Sequence, residues 1–110
     1  MYNENQPLKS FLYLYNQFEL FLTSIIKDQN RINSPFIIFM IHAYNVFMEK
    51  NEPFKKKDLK NEKYVSIATF YRHFDYAIDE KIIVEVEKNK FELAHELPYH
   101  LKLIKEEVII

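Results

Sequence analysis

The chain has 110 residues, neither cysteine nor glycine, and a formal net charge of −1 at pH 7. This length is enough for one domain with one hydrophobic core, and the lack of cysteine excludes disulfide bonds and cysteine-based zinc sites. The near-neutral charge argues against a protein that is basic over its whole surface, so any contact with nucleic-acid phosphates has to come from a local group of lysines.

The first predicted element is a helix over residues 8–27, with Pro7 suited to its first turn. Its apolar residues recur at steps of three and four, and they are Leu8, Phe11, Leu12, Tyr15, Phe18, Leu22, Ile25 and Ile26. Because Leu14, Leu20 and Phe21 lie off this stripe, more than one side of the helix is apolar. The alternatives are a wide core stripe in a monomer and a dimer interface, and we favour the dimer interface.

The second predicted helix has Ser34 as its N-cap and Pro35 at its first position. Residues 36–48 are almost all apolar, which predicts a central buried helix that is too short to span a membrane. This helix is expected to end at residues 49–51, before Pro53. A short charged helix over residues 55–61 follows, and we expect Phe54 and Leu59 to anchor it to the core.

A tight turn over residues 62–65 then leads to a helix that begins at Ser66, whose side chain can cap the first turn. The residues spaced to point into the core are Phe70, Phe74, Ala77 and Ile78. The opposite, outward arc is predicted to contain Ile67, Thr69, Arg72, His73 and Tyr76, with Tyr71 at its edge. Residues 79–81 close this helix.

The last predicted elements are a β-hairpin and a terminal helix. Residues 82–86 alternate in the manner of a strand, Lys88 and Asn89 suit the tip, and residues 91–93 form the return strand. Residues 96–110 are helical in pattern, and the apolar residues of one face are Leu97, Leu101, Ile104 and Val108.

The run KKKDLKNEKYVSIATFYRHFDYAIDEKIIV resembles the core of winged helix-turn-helix transcriptional regulators. The family pattern joins an apolar-anchored helix, a Ser-x-x-Thr-apolar-x-Arg-x-apolar helix and an apolar strand; it is matched by Leu59, Ser66, Thr69, Phe70, Arg72, Phe74, Ile82 and Ile83. Residues 33–50 are similar to the long helix that precedes this unit in the MarR-like class. The resemblance covers residues 33–95, with one departure: Lys81 stands where the family usually has glycine.

This resemblance implies a mainly α fold with a small β-wing, the winged helix-turn-helix. We expect residues 1–110 to form a single domain, with an N-terminal dimerisation helix within residues 1–30, a winged-helix core over 33–95 and a C-terminal helix over 96–110. The implied function is that of a homodimeric, sequence-specific DNA-binding transcriptional regulator, with its two recognition helices in successive major grooves of double-stranded DNA. The alternative is a winged-helix module that binds another protein without specific contact to DNA.

The candidate DNA-binding residues are Lys55, Lys56, Lys57, Ser66, Thr69, Tyr71, Arg72, His73, Lys88 and Lys90. Arg72 is the strongest candidate for base recognition, because a guanidinium can bond O6 and N7 of guanine together. The hydroxyl side chains suit phosphates, with a thymine methyl as a further partner of Ser66 and Thr69, and His73 suits either a base or a phosphate. The lysines suit phosphates, and those of the wing also suit the minor groove.

Catalysis and metal binding have little support in the sequence. Glu96 and His100 are one helical turn apart, with His95 beside them, but a third metal ligand is lacking. No glycine-rich loop exists to hold phosphate, and no serine is accompanied by a recognisable His and Asp. The N-terminal residues do not resemble a signal peptide. We therefore expect a cytoplasmic protein that is not an enzyme, has no cofactor and no metal, and does not bind a membrane.

Overall fold

A computed structural model describes residues 6–60 and 66–102, and this part of the chain is mainly helical with one two-stranded antiparallel sheet. The elements are α1 (Gln6–Ile25), a 3-10 turn (Gln29–Arg31), α2 (Ser34–Lys50), α3 (Lys56–Leu59), α4 (Ile67–Asp79), β1 (Ile83–Glu87) and β2 (Lys90–Leu93). Residues 99–102 are also helical. The predicted mainly α class with a small β-hairpin is confirmed. The predicted turn at 62–65 and most of the predicted C-terminal helix lie outside the described residues.

The described residues divide into two compact units, residues 6–32 together with 97–102, and residues 33–60 together with 66–96. In the first unit, α1 buries Leu14, Phe18 and Leu22 at steps of four residues. The predicted stripe was therefore wrong at two positions: Leu14, expected off the stripe, is fully buried, and Leu12, expected on it, is 52% exposed. The prediction that residues 1–110 fold as a single domain stays a prediction.

The central helix of the second unit is α2, and seven of its residues are buried: Phe36, Ile37, Phe39, Met40, Ile41, Ala43 and Tyr44. Its N-cap is Asn33 and not the predicted Ser34, because the Asn33 side chain accepts a hydrogen bond from the Phe36 N–H at 3.1 Å. The helix ends where Asn51 adopts a left-handed conformation with φ of 53°, which asparagine tolerates better than most residues. Of the helices in the described ranges, none combines the length and the apolar character that crossing a bilayer requires.

The helix α4 packs on this core through Phe70, Phe74 and Ala77, which are buried as predicted. Its N-cap is Ser66, also as predicted, and the Ser66 hydroxyl accepts from the Thr69 N–H at 3.2 Å. The Phe74 ring meets the Phe91 ring of β2 edge-on, with 4.9 Å between centroids. These contacts fix the direction in which the exposed side of α4 points.

At its C-terminus α4 ends without glycine. The Ile82 N–H donates to the Ala77 carbonyl at 2.9 Å and the Lys81 N–H donates to the Ile78 carbonyl at 3.0 Å, the two bonds of a Schellman motif. Lys81, which donates the second of these bonds, has φ of 60°. This left-handed conformation costs an L-residue other than glycine ~1–2 kcal/mol. Lys81 therefore adopts the left-handed conformation for which the family pattern usually has glycine.

The hairpin pairs Ile83 with Leu93 and Glu87 with Lys90, and a register shift between Glu85 and Glu87 leaves Val86 as a bulge. Its tip is Lys88–Asn89, as predicted, and Asn89 has φ of 62°. The Glu85 carboxylate accepts a hydrogen bond from the Asn89 N–H at 3.0 Å. Phe54 adds an isolated bridge to Phe91, exchanging N–H···O bonds of 2.9 and 2.8 Å. This bridge brings the segment before α3 beside the hairpin.

Candidate nucleic-acid interface

The N-terminal half of α4 carries a connected chain of polar side chains. The Ser66 hydroxyl donates to Thr69 Oγ1 at 2.9 Å, and Arg72 Nη2 donates to the same Thr69 oxygen at 3.3 Å. Ser66 and Arg72 are exposed and Thr69 is partly exposed. The guanidinium of Arg72 is therefore directed toward the N-terminal turn of α4 by hydrogen bonds, with its remaining N–H donors available to a ligand.

Two acidic residues share the exposed face of α4 with Arg72. At helical spacing, the centre of this face contains Ala68, Arg72, Asp75 and Asp79, all of which are exposed. Neither aspartate was among the predicted site residues, although their spacing of three and seven residues from Arg72 was a signal for them. They lie in the C-terminal half of α4, so the positive and hydroxyl-bearing part of the face is its N-terminal half.

The prediction that His73 lies on the outward arc is wrong, and so is that for Tyr76. The His73 side chain is 7% exposed, its ring lies 5.7 Å from the rings of Phe36 and Phe39, and its Nε2 has no hydrogen-bond partner among residues 6–60 and 66–102. Tyr76 is also buried, with its ring 5.0 Å from that of Phe36. The reason is that aromatic residues of α2 pack along one edge of α4 and widen its buried side. His73 cannot contact DNA from this position.

Burial also sets the charge of His73. Desolvation lowers the pKa of His73, and the neighbouring Arg72 charge lowers it further, so its imidazole is neutral at pH 7. His42 is half-buried in α2, where burial lowers its pKa against the opposing effects of a Leu59 backbone hydrogen bond and the Glu49 charge. Within residues 6–60 and 66–102, no three His, Asp or Glu side chains converge as a metal site would require.

Tyr71 lies between two lysines of the α3 segment. The Lys60 ammonium is 5.0 Å from the centroid of the Tyr71 ring and the Lys56 ammonium is 5.8 Å from it. Lys56 is also 5.1 Å from the Phe74 ring and is only partly exposed. Cations at these distances are attracted to the faces of aromatic rings. Lys56 therefore helps to fasten α3 to α4, and it is less accessible to a phosphate than the exposed Lys55 and Lys57.

The other lysines of this region line a depression of about 400 Å³, which we call the lysine groove. Its charged residues are Lys50, Lys55, Lys57, Lys90, Glu52 and Asp58. Lys55 and Lys57 were predicted as a cluster separate from Lys90 of the hairpin, and the structure brings the three together. Lys88, at the tip of the hairpin, is exposed and does not line the groove.

Asp58 organises one wall of the lysine groove. Its carboxylate accepts a hydrogen bond from the Lys55 N–H at 2.8 Å and lies 3.4 Å from the Lys50 ammonium. The hydrogen bond from Lys55, followed by the interactions with Lys50 and Lys57, lowers the pKa of Asp58. Asp58 is therefore ionised at pH 7, and one of its oxygens serves both Lys50 and the backbone.

The chain matches no protein-family model, no curated protein and no solved structure. The interpretation of the site therefore depends on its own residues and geometry.

Proposed function

We propose that this chain is a winged helix-turn-helix protein that binds double-stranded DNA sequence-specifically and acts as a transcriptional regulator. The observation that carries the proposal is the hydrogen-bonded chain of Ser66, Thr69 and Arg72 on the exposed N-terminal half of α4. These hydrogen bonds hold the guanidinium of Arg72, and arginine is the side chain that most often recognises guanine. In helix-turn-helix proteins, that half of the recognition helix is the part that meets base edges.

The order of the elements supports the winged-helix assignment. A long buried helix, a short helix, a helix with one exposed polar face and an antiparallel hairpin follow one another over residues 34–93. The cation–π contacts of Lys56 and Lys60 with Tyr71 tie α3 to α4, as the two helices of a helix-turn-helix have to be tied. The hairpin would serve as the wing.

The charge distribution is compatible with modest affinity. The chain has a net charge of −1, so phosphate contacts would come from the few exposed lysines around α3 and the wing, Lys55, Lys57 and Lys88 among them. Binding that depends on a few phosphate contacts weakens with salt in proportion to their number. We therefore expect the affinity for DNA to fall only slowly as the salt concentration rises.

The proposal is tested by selecting duplexes from a random-sequence pool with the full chain and titrating the enriched duplex. We expect one enriched motif, bound at least ~10³-fold more tightly than a scrambled duplex of the same composition at physiological salt. The scrambled duplex controls for attraction between lysines and any backbone. A pool that yields no enriched motif, with equal binding to both duplexes, contradicts the proposal.

We also propose that the chain acts as a homodimer through its terminal helices. On α1, Leu12, Leu20 and Tyr13 are all more than half exposed and fall within one arc of about 100°, on the side opposite Leu14, Phe18 and Leu22. The exposed Asn16 lies within the same arc, but large apolar residues grouped on one exposed face suit an interface, and a second copy of α1 offers a matching surface. Such a dimer would present two copies of α4 to a near-palindromic site.

The dimer predicts a definite mass. Sedimentation at micromolar concentration should give about twice the chain mass of 13.5 kDa, and Leu20→Lys, which puts a charge at the centre of the exposed face, should return the protein to a monomer. Lys27→Glu changes the charge of the same unit at an exposed residue beyond the C-terminal end of α1 and should leave the dimer intact. A parent protein that sediments as a monomer contradicts the prediction.

The protein-binding alternative has one specific observation in its favour. Ile67, at the start of α4, is 55% exposed, and Val86, at the bulge of the wing, is also exposed. Exposed apolar residues at these two places would suit a protein surface better than a phosphate backbone. If the selection fails, this alternative replaces DNA binding as the proposed function.

A further inference from the structure

We propose that the lysine groove binds a ligand that carries two or more linked phosphate groups. Its volume of about 400 Å³ lies in the range of small-molecule sites. Four lysines against two carboxylates leave it an excess of two positive charges, whereas the whole chain has a net charge of −1. A ligand with several linked phosphates offers oxygens to lysines that come from different segments of the chain.

The backbone places two of these lysines opposite each other. Phe54 and Phe91 form an antiparallel bridge, so the next residues outward along this pairing, Lys55 and Lys90, face each other. Like charges in directly opposed positions are unfavourable, and both side chains line the groove. An anion between the two ammonium groups would turn this repulsion into attraction to a shared partner.

Asp58 and Glu87 leave this pair of lysines available to a ligand. Asp58 is engaged by the Lys55 N–H and by Lys50. Lys90 forms an ion pair with Glu87 at 3.3 Å, but both side chains are largely exposed, and such pairs contribute little. A phosphate can therefore replace Glu87 as the partner of Lys90 at a small cost in free energy.

The phosphate groups have two possible sources, the backbone of DNA or a free polyphosphate. The lysine groove does not contain Arg72 or any other residue of α4, so its binding of phosphate does not depend on the proposed function. A free polyphosphate would make the groove an effector site, and a DNA backbone would make it part of the interface.

Calorimetric titration of the full chain with inorganic tripolyphosphate tests the proposal. The parent should bind one equivalent per chain, and Lys55→Gln/Lys90→Gln should bind about 25-fold more weakly, at about fivefold for each exposed charge pair lost. The matched control, Lys27→Gln/Lys81→Gln, removes the same charge from exposed lysines outside the groove and should stay within about twofold of the parent. Equal weakening of the two double variants, or no binding by the parent, overturns the proposal.

A second titration identifies the source. If the groove meets the DNA backbone, the selected duplex should displace tripolyphosphate, and Lys55→Gln/Lys90→Gln should weaken cognate and scrambled duplexes equally. If the ligand is a free polyphosphate, tripolyphosphate should bind the protein–DNA complex as tightly as the free protein. Each result supports a phosphate site and assigns it to one source, and the first titration remains decisive if no duplex is ever selected.

Discussion

Phe74→Ala should lower the free energy of unfolding by ~3–5 kcal/mol, as removal of a buried aromatic ring usually does. The Phe74 side chain is 1% exposed. It contacts Phe91 edge-on at 4.9 Å, lies 5.9 Å from the Phe70 ring, and carries the Lys56 ammonium 5.1 Å above its face. It therefore joins α4 to the hairpin and to α3 at one point. A loss of this size is a large fraction of the 5–15 kcal/mol typical of a small domain.

Urea denaturation followed by circular dichroism measures this loss. Ile67→Ala is the matched control, because Ile67 lies on the same helix and is 55% exposed, so we expect its free energy of unfolding to change by less than ~0.5 kcal/mol. If Phe74→Ala were as mild as Ile67→Ala, the packing of α4 described above would be wrong.

Rules that involve only neighbouring residues in the sequence predicted much of α4 and of the β-hairpin. A serine followed by apolar residues at steps of four predicted both the cap at Ser66 and the burial of Phe70 and Phe74, because capping and helical periodicity involve only neighbouring residues. The tip at Lys88–Asn89 was predicted for the same reason. At the start of α2, Asn33 and Ser34 both precede Pro35, and both residue types can cap a helix. The capping rule therefore allowed either residue, and the prediction of Ser34 was wrong.

Features that depend on distant residues were not predictable in this way. His73 lies at the edge of the buried side of α4, and its burial depends on where Phe36 and Phe39 of α2 pack. Lys90 belongs to the lysine groove only because Phe54 pairs with Phe91 across the chain. Periodicity within one helix or strand contains no information about either contact.

Arg72→Ala should weaken binding to the selected duplex by ~1–3 kcal/mol and relax its preference at one base pair, because the guanidinium is the group proposed to bond guanine. Binding to the scrambled duplex should change far less. Arg72→Lys separates geometry from charge: lysine keeps the positive charge but loses the planar pair of donors. We expect it to retain affinity for the scrambled duplex and to lose nearly as much affinity for the selected one as alanine does.

The chain provides a matched control for this experiment in Arg31, which is exposed and lies in the other unit, outside α4. Arg31→Ala removes the same side chain and charge and should leave the preference for the selected duplex unchanged. Melting curves of the two Arg72 variants should superimpose on that of the parent, because the hydrogen bond that Arg72 donates to Thr69 at 3.3 Å lies on the surface. If Arg72→Lys bound the selected duplex as tightly as the parent, Arg72 would act only as a positive charge and base recognition would have to lie elsewhere on α4.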